Sequence, residues 1–358
     1  MVPLKGLIMK KSYLFILSAL IIIGSLFAAA KVEAQPEVRV GGYMQAWGLY
    51  SYTENLEPHE DVWGYRLRRA RLTALTQLSE NLTTTTWLEF AGRQNNLLDF
   101  HFDYRFSAAA NIRVGQFRPH AQAYDTGTLG SAGLIFAERP EVTPFLASQM
   151  GFDAFRDIGM MMYGRTDRLY YAIHATNGMG RFTQAGTNIT SRSFGSGSYG
   201  ARADFDLTDN LLLGGHVSLN QQRDVVVEGN EPYDVDRYST SLRLVSDEML
   251  LPGLYSQTEA FYGTRNDTQE FDYDGLYTQV GYRMHQNLHL LSRFDYLARR
   301  YQDADNELTQ AVTLGAMRLF QHQEREIARI IVNYNLASQP DDSLQHLITA
   351  VFQVRFIP

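Results

Sequence analysis

The sequence predicts an all-β fold, a transmembrane antiparallel β-barrel of about 16 strands. Three observations carry that expectation. Apolar and polar residues alternate along run after run of the chain, and short and long connections alternate between those runs. After residue 34, no stretch approaches the roughly 18 uninterrupted apolar residues of a spanning helix. The chain holds 21 Tyr and 20 Phe but no Cys. Aromatic girdles use such residues, while the absence of Cys excludes a disulfide framework and thiolate metal sites.

The first segment reads as a secretory signal. Lys10 and Lys11 precede the apolar run from Tyr13 to Ala30, and Val32-Glu33-Ala34 offers a small-x-small cleavage site. Residues 1–34 are therefore expected to be a cleaved signal peptide, and residues 35–358 a single barrel domain. The formal net charge is −7. With the four Lys and one Glu of residues 1–34 set aside, 28 basic residues remain, all of them Arg, against 38 acidic ones. So acidic a chain is a poor partner for nucleic acid.

Alternation is plainest at Leu98, Phe100, Phe102, Tyr104 and Phe106, whose neighbours Asp99, His101, Asp103 and Arg105 are polar. Side chains of a strand point to opposite faces in turn, so this run has one apolar and one wet face. The same pattern recurs at Tyr199 to Leu207, at Leu276 to Met284 and at Phe352 to Phe356. Short connections fall at Ser79-Glu80-Asn81, Ala108-Ala109-Ala110, Thr166-Asp167 and His285-Gln286; long ones include 51–63, 119–156, 178–196 and 338–343. A soluble jelly roll or propeller also alternates. Roughly ten-residue strands with strict turn-and-loop alternation favour a membrane barrel with tight periplasmic turns and longer external loops. The 119–156 connection exceeds ordinary loop length, and its Leu134, Ile135, Phe136, Phe145 and Leu146 call for a packing partner. The barrel interior is the natural one, so this third external loop is expected to fold inward.

A family resemblance joins these readings. Gly64-Tyr-Arg-Leu-Arg-Arg-Ala-Arg71 resembles the Arg-rich second strand of the phosphate-selective porin O and P family. Val114-Gly-Gln-Phe-Arg-Pro119 resembles a further stretch of that family, as do Glu138-Arg139, Arg156-Asp-Ile-Gly159 and Asn177-Gly178. The similarity is clearest over residues 64–180. It implies a trimeric barrel of the bacterial outer membrane, the third external loop in its lumen and arginines selecting anions. The chain departs from the family in having no Lys after Lys31, so a lysine cluster at the pore cannot exist.

With apolar alternates facing lipid, the lumen set includes Arg69, Arg71, Arg105 and Arg113, and the long connection adds Arg139 and Arg156. These six are the candidate pore-lining, anion-contacting residues. A guanidinium is always charged and offers a planar fork of donors to oxyanions. The alternative for each is a charge pair that braces the wall, with Glu89, Asp99, Asp103 and Asp204 on the same face. Arg68 and Arg69 are adjacent and cannot both face inward on a regular strand, so the phase there stays open.

The nine His lack metal-ligand spacing and no Gly-x-Ser-x-Gly elbow lies between strand and helix. No enzyme, metal or cofactor is expected. The sequence points to passive diffusion of small hydrophilic solutes, anion-favouring, with phosphate or similar oxyanions among them. Expected partners are those solutes, outer-membrane lipid and lipopolysaccharide, and further copies in a homotrimer. Two other classes remain open: a barrel enzyme hydrolysing lipid or ester, and a plugged structural or adhesive barrel.

Overall fold

A computed structural model describes residues 36–54, 61–92, 96–119, 136–152, 156–178, 196–225, 233–267, 269–302, 304–341 and 343–356. The expected signal peptide, 1–34, lies outside the described residues. Sixteen strands follow one another: β1 (Glu37–Glu54), β2 (Val62–Gln77), β3 (Leu82–Glu89), β4 (Asn96–Ser107), β5 (Ala110–Phe117), β6 (Asp157–Arg165), β7 (Leu169–Thr176) and β8 (Gly197–Thr208). The second half comprises β9 (Leu211–Val225), β10 (Tyr233–Asp247), β11 (Leu254–Asn266), β12 (Glu270–His285), β13 (Leu288–Tyr301), β14 (Glu307–His322), β15 (Arg325–Ser338) and β16 (Leu344–Phe356). Each strand pairs antiparallel with its sequence neighbours, and β1 pairs β16 from Glu54↔Leu344 to Gly42↔Phe356. The sheet therefore closes and leaves no open edge.

The alternation in sequence becomes an inside and an outside. Phe100, Met160, Ile173, Leu219, Leu242, Val312, Ile330 and Phe352 are exposed on the outer face. Their strand neighbours Asp99, Met161, His174, Asn220, Arg243, Thr313, Arg329 and Gln353 are buried on the inner face. An outer face that presents large apolar side chains is suited to lipid rather than water. The expected short connections are tight turns. At the β14–β15 hairpin Gln323 and Glu324 both take positive φ, 49° and 64°. A two-residue turn with both central residues left-handed matches the twist of its strands.

The third long connection enters the barrel. Residues 136–152 carry a seven-residue helix, α1 (Val142–Ser148). Val142, Phe145, Leu146, Met150 and Phe152 form a buried cluster with the inner-face residues Phe261 of β11, Phe271, Tyr273 and Tyr277 of β12 and Leu297 of β13. Phe136 and Ala137 form a second with Trp47, Leu291, Met317, Ile331 and Val351, from β1 and β13 to β16. The inner wall is thus apolar where the loop lies on it. Gly275 of β12 permits the closest approach, since a Cβ there would sit 2.8 Å from the Val142 Cγ2. The rest of that connection, 120–135 and 153–155, lies outside the described residues.

Candidate permeation site

The arginines of β2 owe their arrangement to a β-bulge. Gln45 of β1 pairs Arg69, yet Ala46 pairs Leu67, so Arg68 is the extra residue. Beyond the bulge Trp47 pairs Arg66, and before it Tyr43 pairs Arg71. Tyr43, Gln45 and Trp47 are buried on the inner face, and directly paired residues share a face. The inserted residue changes the phase of β2, so Arg66, Arg69 and Arg71 all face the lumen. Arg68 points the same way. Its guanidinium lies 5.6 Å from the centroid of the Trp47 ring, and that of Arg66 lies 4.9 Å from it. Stacking on an aromatic face holds a guanidinium in place and leaves its donor edges free.

Neighbours divide these arginines into two groups. Arg71 is buried, bonds Glu89 at 2.7 Å and donates to the Tyr43 hydroxyl at 2.8 Å. Arg113 bonds Asp103 at 2.7 Å, and Asp103 also takes the Tyr163 hydroxyl and His101. Arg156 bonds Asp99 at 2.9 Å and lies over the Trp87 ring. Arg105 is exposed and stands two residues before the short β4–β5 turn, away from the long-loop end. Arg66, Arg68 and Arg69 bond no carboxylate among the described residues, although Glu89, the partner of Arg71, also stands within electrostatic range of Arg68. Arg69 donates to the Gln45 amide oxygen at 2.6 Å, but its buried Nε has no acceptor, and neither has the Trp47 Nε1. Arg139, from the inserted loop, stands within electrostatic range of Arg68 and Arg69.

The arginines thus gather along β2, and Arg139 of the loop stands within electrostatic range of Arg68 and Arg69. Of the six residues read from sequence, Arg69, Arg71 and Arg139 meet there. Arg113 and Arg156 are tied to carboxylates of β4, and Arg105 sits at the far mouth. Arg66 and Arg68 were missed, although their strand was recognised. The adjacency of two arginines in a strand whose alternation slips was the available signal of a bulge.

The loop is anchored on the wall from β13 to β16, which β1 joins to β2. The Glu138 carboxylate accepts from Asn333 Nδ2 at 2.6 Å and from the Thr349 hydroxyl. Arg293 donates to the carbonyl oxygens of Glu138, at 2.8 Å, and Arg139, at 3.2 Å. It is itself held by Asp295 at 2.7 Å. Burial raises the Glu141 carboxyl above its ordinary range, and Asp295 and Glu138 add to this against Arg293.

Further round the wall, the Ser241 hydroxyl lies 2.8 Å from His216 Nδ1 and donates to Glu259 at 2.6 Å. The residue types match those of a nucleophile, a base and an acid. The order does not, because Ser241 stands between His216 and Glu259, which are 3.9 Å apart. In a nucleophilic triad the base is the middle member. Tyr277 also donates to Glu259, at 2.9 Å, so the group braces the wall behind α1. Among the described residues no group of His, Asp and Glu could hold a metal ion.

No protein-family model and no curated protein matches the sequence. Solved structures resemble the fold. An anion-selective porin from Comamonas acidovorans superposes with a TM-score of 0.66 at 12% identity, covering 90% of this chain and 100% of that one. The outer membrane channel DcaP of Acinetobacter baumannii gives 0.64 at 11%, covering 91% and 99%. OmpT, an outer membrane protein of Vibrio cholerae, gives 0.63 at 10%, covering 90% and 100%. At these identities the likeness is one of architecture, and the chain has the closed sixteen-stranded fold of outer-membrane barrels.

Proposed function

We propose that this protein is a porin of the bacterial outer membrane, exported by a cleaved signal peptide and passing small hydrophilic solutes by diffusion, with anions favoured. The observation that carries the reading is the set Arg66, Arg68 and Arg69, gathered on the inner face by a bulge and bonded to no carboxylate among the described residues. Like charges crowded together oppose folding, so a wall that needed only bracing would pair them, as it pairs Arg71, Arg113 and Arg156. Rings of fixed positive charge at a narrow, low-dielectric passage favour anions. The overall acidity matters less, because charges beyond the Debye length of about 8 Å at physiological salt are largely screened.

The outer face supports a lipid setting, and the resemblance at 64–180 supports the porin class, with phosphate or similar oxyanions among its solutes and a homotrimer as its assembly. Conductance of the purified protein in planar bilayers, with the zero-current potential measured in unequal potassium chloride, tests the reading. The expected result is steady channels with chloride favoured by a modest factor. Cation preference would mean that acidic residues govern passage. A plugged barrel has support in the loop that covers the inner wall from β11 to β16, and it predicts no conductance at all.

A further inference from the structure

Short turns close one end of the barrel, and one of them is unlike the rest. Residues 248–253, between β10 and β11, form the longest of these connections. Their Met249, Leu250 and Leu251 are 53%, 74% and 60% exposed. None of the others, from 78–81 round to 323–324, carries an exposed large apolar side chain. Glu80, Asp167, Asp209 and Gln286 stand at such turns instead, and they suit water. The apolar turn also has a fixed shape. The Glu248 N–H donates to the Leu254 carbonyl at 2.7 Å, and the Leu254 N–H to that of Leu251 at 3.1 Å. The Gly253 N–H donates to the Glu248 carboxylate at 3.2 Å. Arg283 of β12 bonds that carboxylate at 3.0 Å and Asp247 at 2.8 Å, and its guanidinium covers the Tyr255 ring at 4.7 Å. Tyr255 pairs Asp247, so these charged groups gather at the base of the turn on its lumen side. Glu248 takes φ 55°, a left-handed conformation that a residue with a side chain keeps only where its surroundings impose it.

The tip is continuous with the lipid face. Leu254 pairs Tyr282, and Tyr282 pairs Leu290, both of them exposed on the outer face. A Cβ at Gly253 would stand 3.5 Å from the Tyr282 ring. Met284, two residues further along β12 toward the same end, is exposed as well. We propose that Met249, Leu250 and Leu251 are an interfacial anchor, immersed in the headgroup and acyl boundary of the lipid leaflet at the short-turn end. A single exposed Leu is ordinary on a protein surface. Three successive apolar side chains at the tip of a fixed turn form a patch that calls for a cover. A docking site for another protein is ringed by polar residues. This patch instead opens onto Tyr282 and Met284, so the lipid that covers them also reaches the tip. The anchor fixes the depth of the wall at β10 and β11, while the other short turns stand in water. It concerns how the barrel sits in the membrane and does not depend on what the lumen passes.

Spin labelling tests the placement directly. The chain has no Cys, so a nitroxide attached at Leu250→Cys labels that position alone. The full-length protein is refolded into phosphatidylcholine vesicles at low protein-to-lipid ratio. Power saturation then compares collisions with oxygen, which concentrates in lipid, and with a nickel chelate, which stays in water on both sides of the vesicle wall. Two positions calibrate the scale. Asp209→Cys, on the polar β8–β9 turn, marks water, and Val332→Cys, on the outer face of β15, marks lipid. The expected result is that L250C favours oxygen over the chelate, with a ratio several-fold above that of D209C and on the side of V332C. A ratio equal to that of D209C overturns the proposal, because the tip then stands in water. Shielding of L250C from both reagents also overturns it, because protein and not lipid then covers the tip. Should L250C fail to refold, Met249→Cys and Leu251→Cys carry the same label at the same tip, and the same outcomes decide. If V332C favours the chelate, the outer face is not in lipid, and the transmembrane placement falls together with the anchor. If V332C favours oxygen while L250C matches D209C, only the anchor falls.

Discussion

Arg69 and Arg71 are two residues apart on one strand and face the same lumen, yet their neighbours give them different work. Arg71 is matched by Glu89, whereas Arg69 meets only the neutral Gln45 among the described residues and keeps one buried N–H without an acceptor. Replacing Arg66, Arg68 and Arg69 together by Gln is expected to shift the zero-current potential toward cation preference with little loss of barrel stability. Replacing Arg71 or Arg113 by Gln leaves Glu89 or Asp103 short of its cation. Breaking a buried pair in this way costs about 3–5 kcal/mol, which denaturant unfolding in detergent would show. If the two groups of variants behave alike, the division between permeation and bracing is wrong. Glu141 adds a pH dependence at the same scale. Its carboxyl is raised in the docked loop by burial and by the nearby Asp295 and Glu138. An acid with a raised pKa favours the docked form when protonated. Docking should therefore weaken as pH climbs through the ordinary carboxylate range and past the raised value. Open-channel noise measured against pH should rise over that interval, and Glu141→Gln should remove the dependence.

Among elements, the strands were the most legible in sequence, since a period of two with one wet face needs no tertiary information. Turn chemistry then set the ends, and the alternating runs at Leu98 to Phe106 and at Phe352 to Phe356 lie within β4 and β16. The inner seat of the loop was less legible, because it breaks the rule used to find the strands. Leu290-Leu291 and Ile330-Ile331-Val332 are apolar on both faces, with Leu291 and Ile331 turned inward beneath Phe136. Such a double-sided run marks where something covers the lumen wall, but alternation alone does not say what. The bulge at Arg68 was hidden for a related reason: one inserted residue reverses every facing beyond it, and sequence shows only that two charged residues are adjacent. The α1 helix is too short to persist by itself, so its place depends on packing. Gly275→Val would press against Val142, from which even a Cβ stands only 2.8 Å away. The expected outcome is a displaced loop, larger or noisier single-channel conductance, and a barrel that still resists detergent. Unchanged conductance would show that α1 does not border the passage.

For the whole molecule, the closed sheet explains why so much charge can be held inside a wall whose outside is apolar. Every strand finds two partners, so no backbone edge meets lipid, and the side-chain alternation is left to divide water from hydrocarbon. The interior is asymmetric. The inserted loop lies on apolar patches that run from β11 through β16 to Trp47 of β1, and the β2 arginines stand beside that last patch, with Arg66 stacked on Trp47. In the proposed channel, a few charges fixed on the wall of a narrow passage weigh more than the net charge of the chain. The last prediction follows from the same division. Val332 lies on the outer face midway along β15, exposed between the buried inner-face residues Ile331 and Asn333. Val332→Arg should cost about 2–4 kcal/mol of folding stability in a bilayer, the penalty of a guanidinium near the membrane midplane. Arg66→Gln, on the exposed part of the lumen wall, should change stability by no more than about 0.5 kcal/mol, as surface substitutions do. Reversible unfolding in lipid vesicles measures both. The contrast matters more than either value, because it depends on lipid being outside and water inside. If the same pair of variants is studied in a detergent-free soluble state and the barrel holds together there, or if both substitutions cost the same in lipid, the outer face is not a lipid face and the transmembrane assignment falls with it.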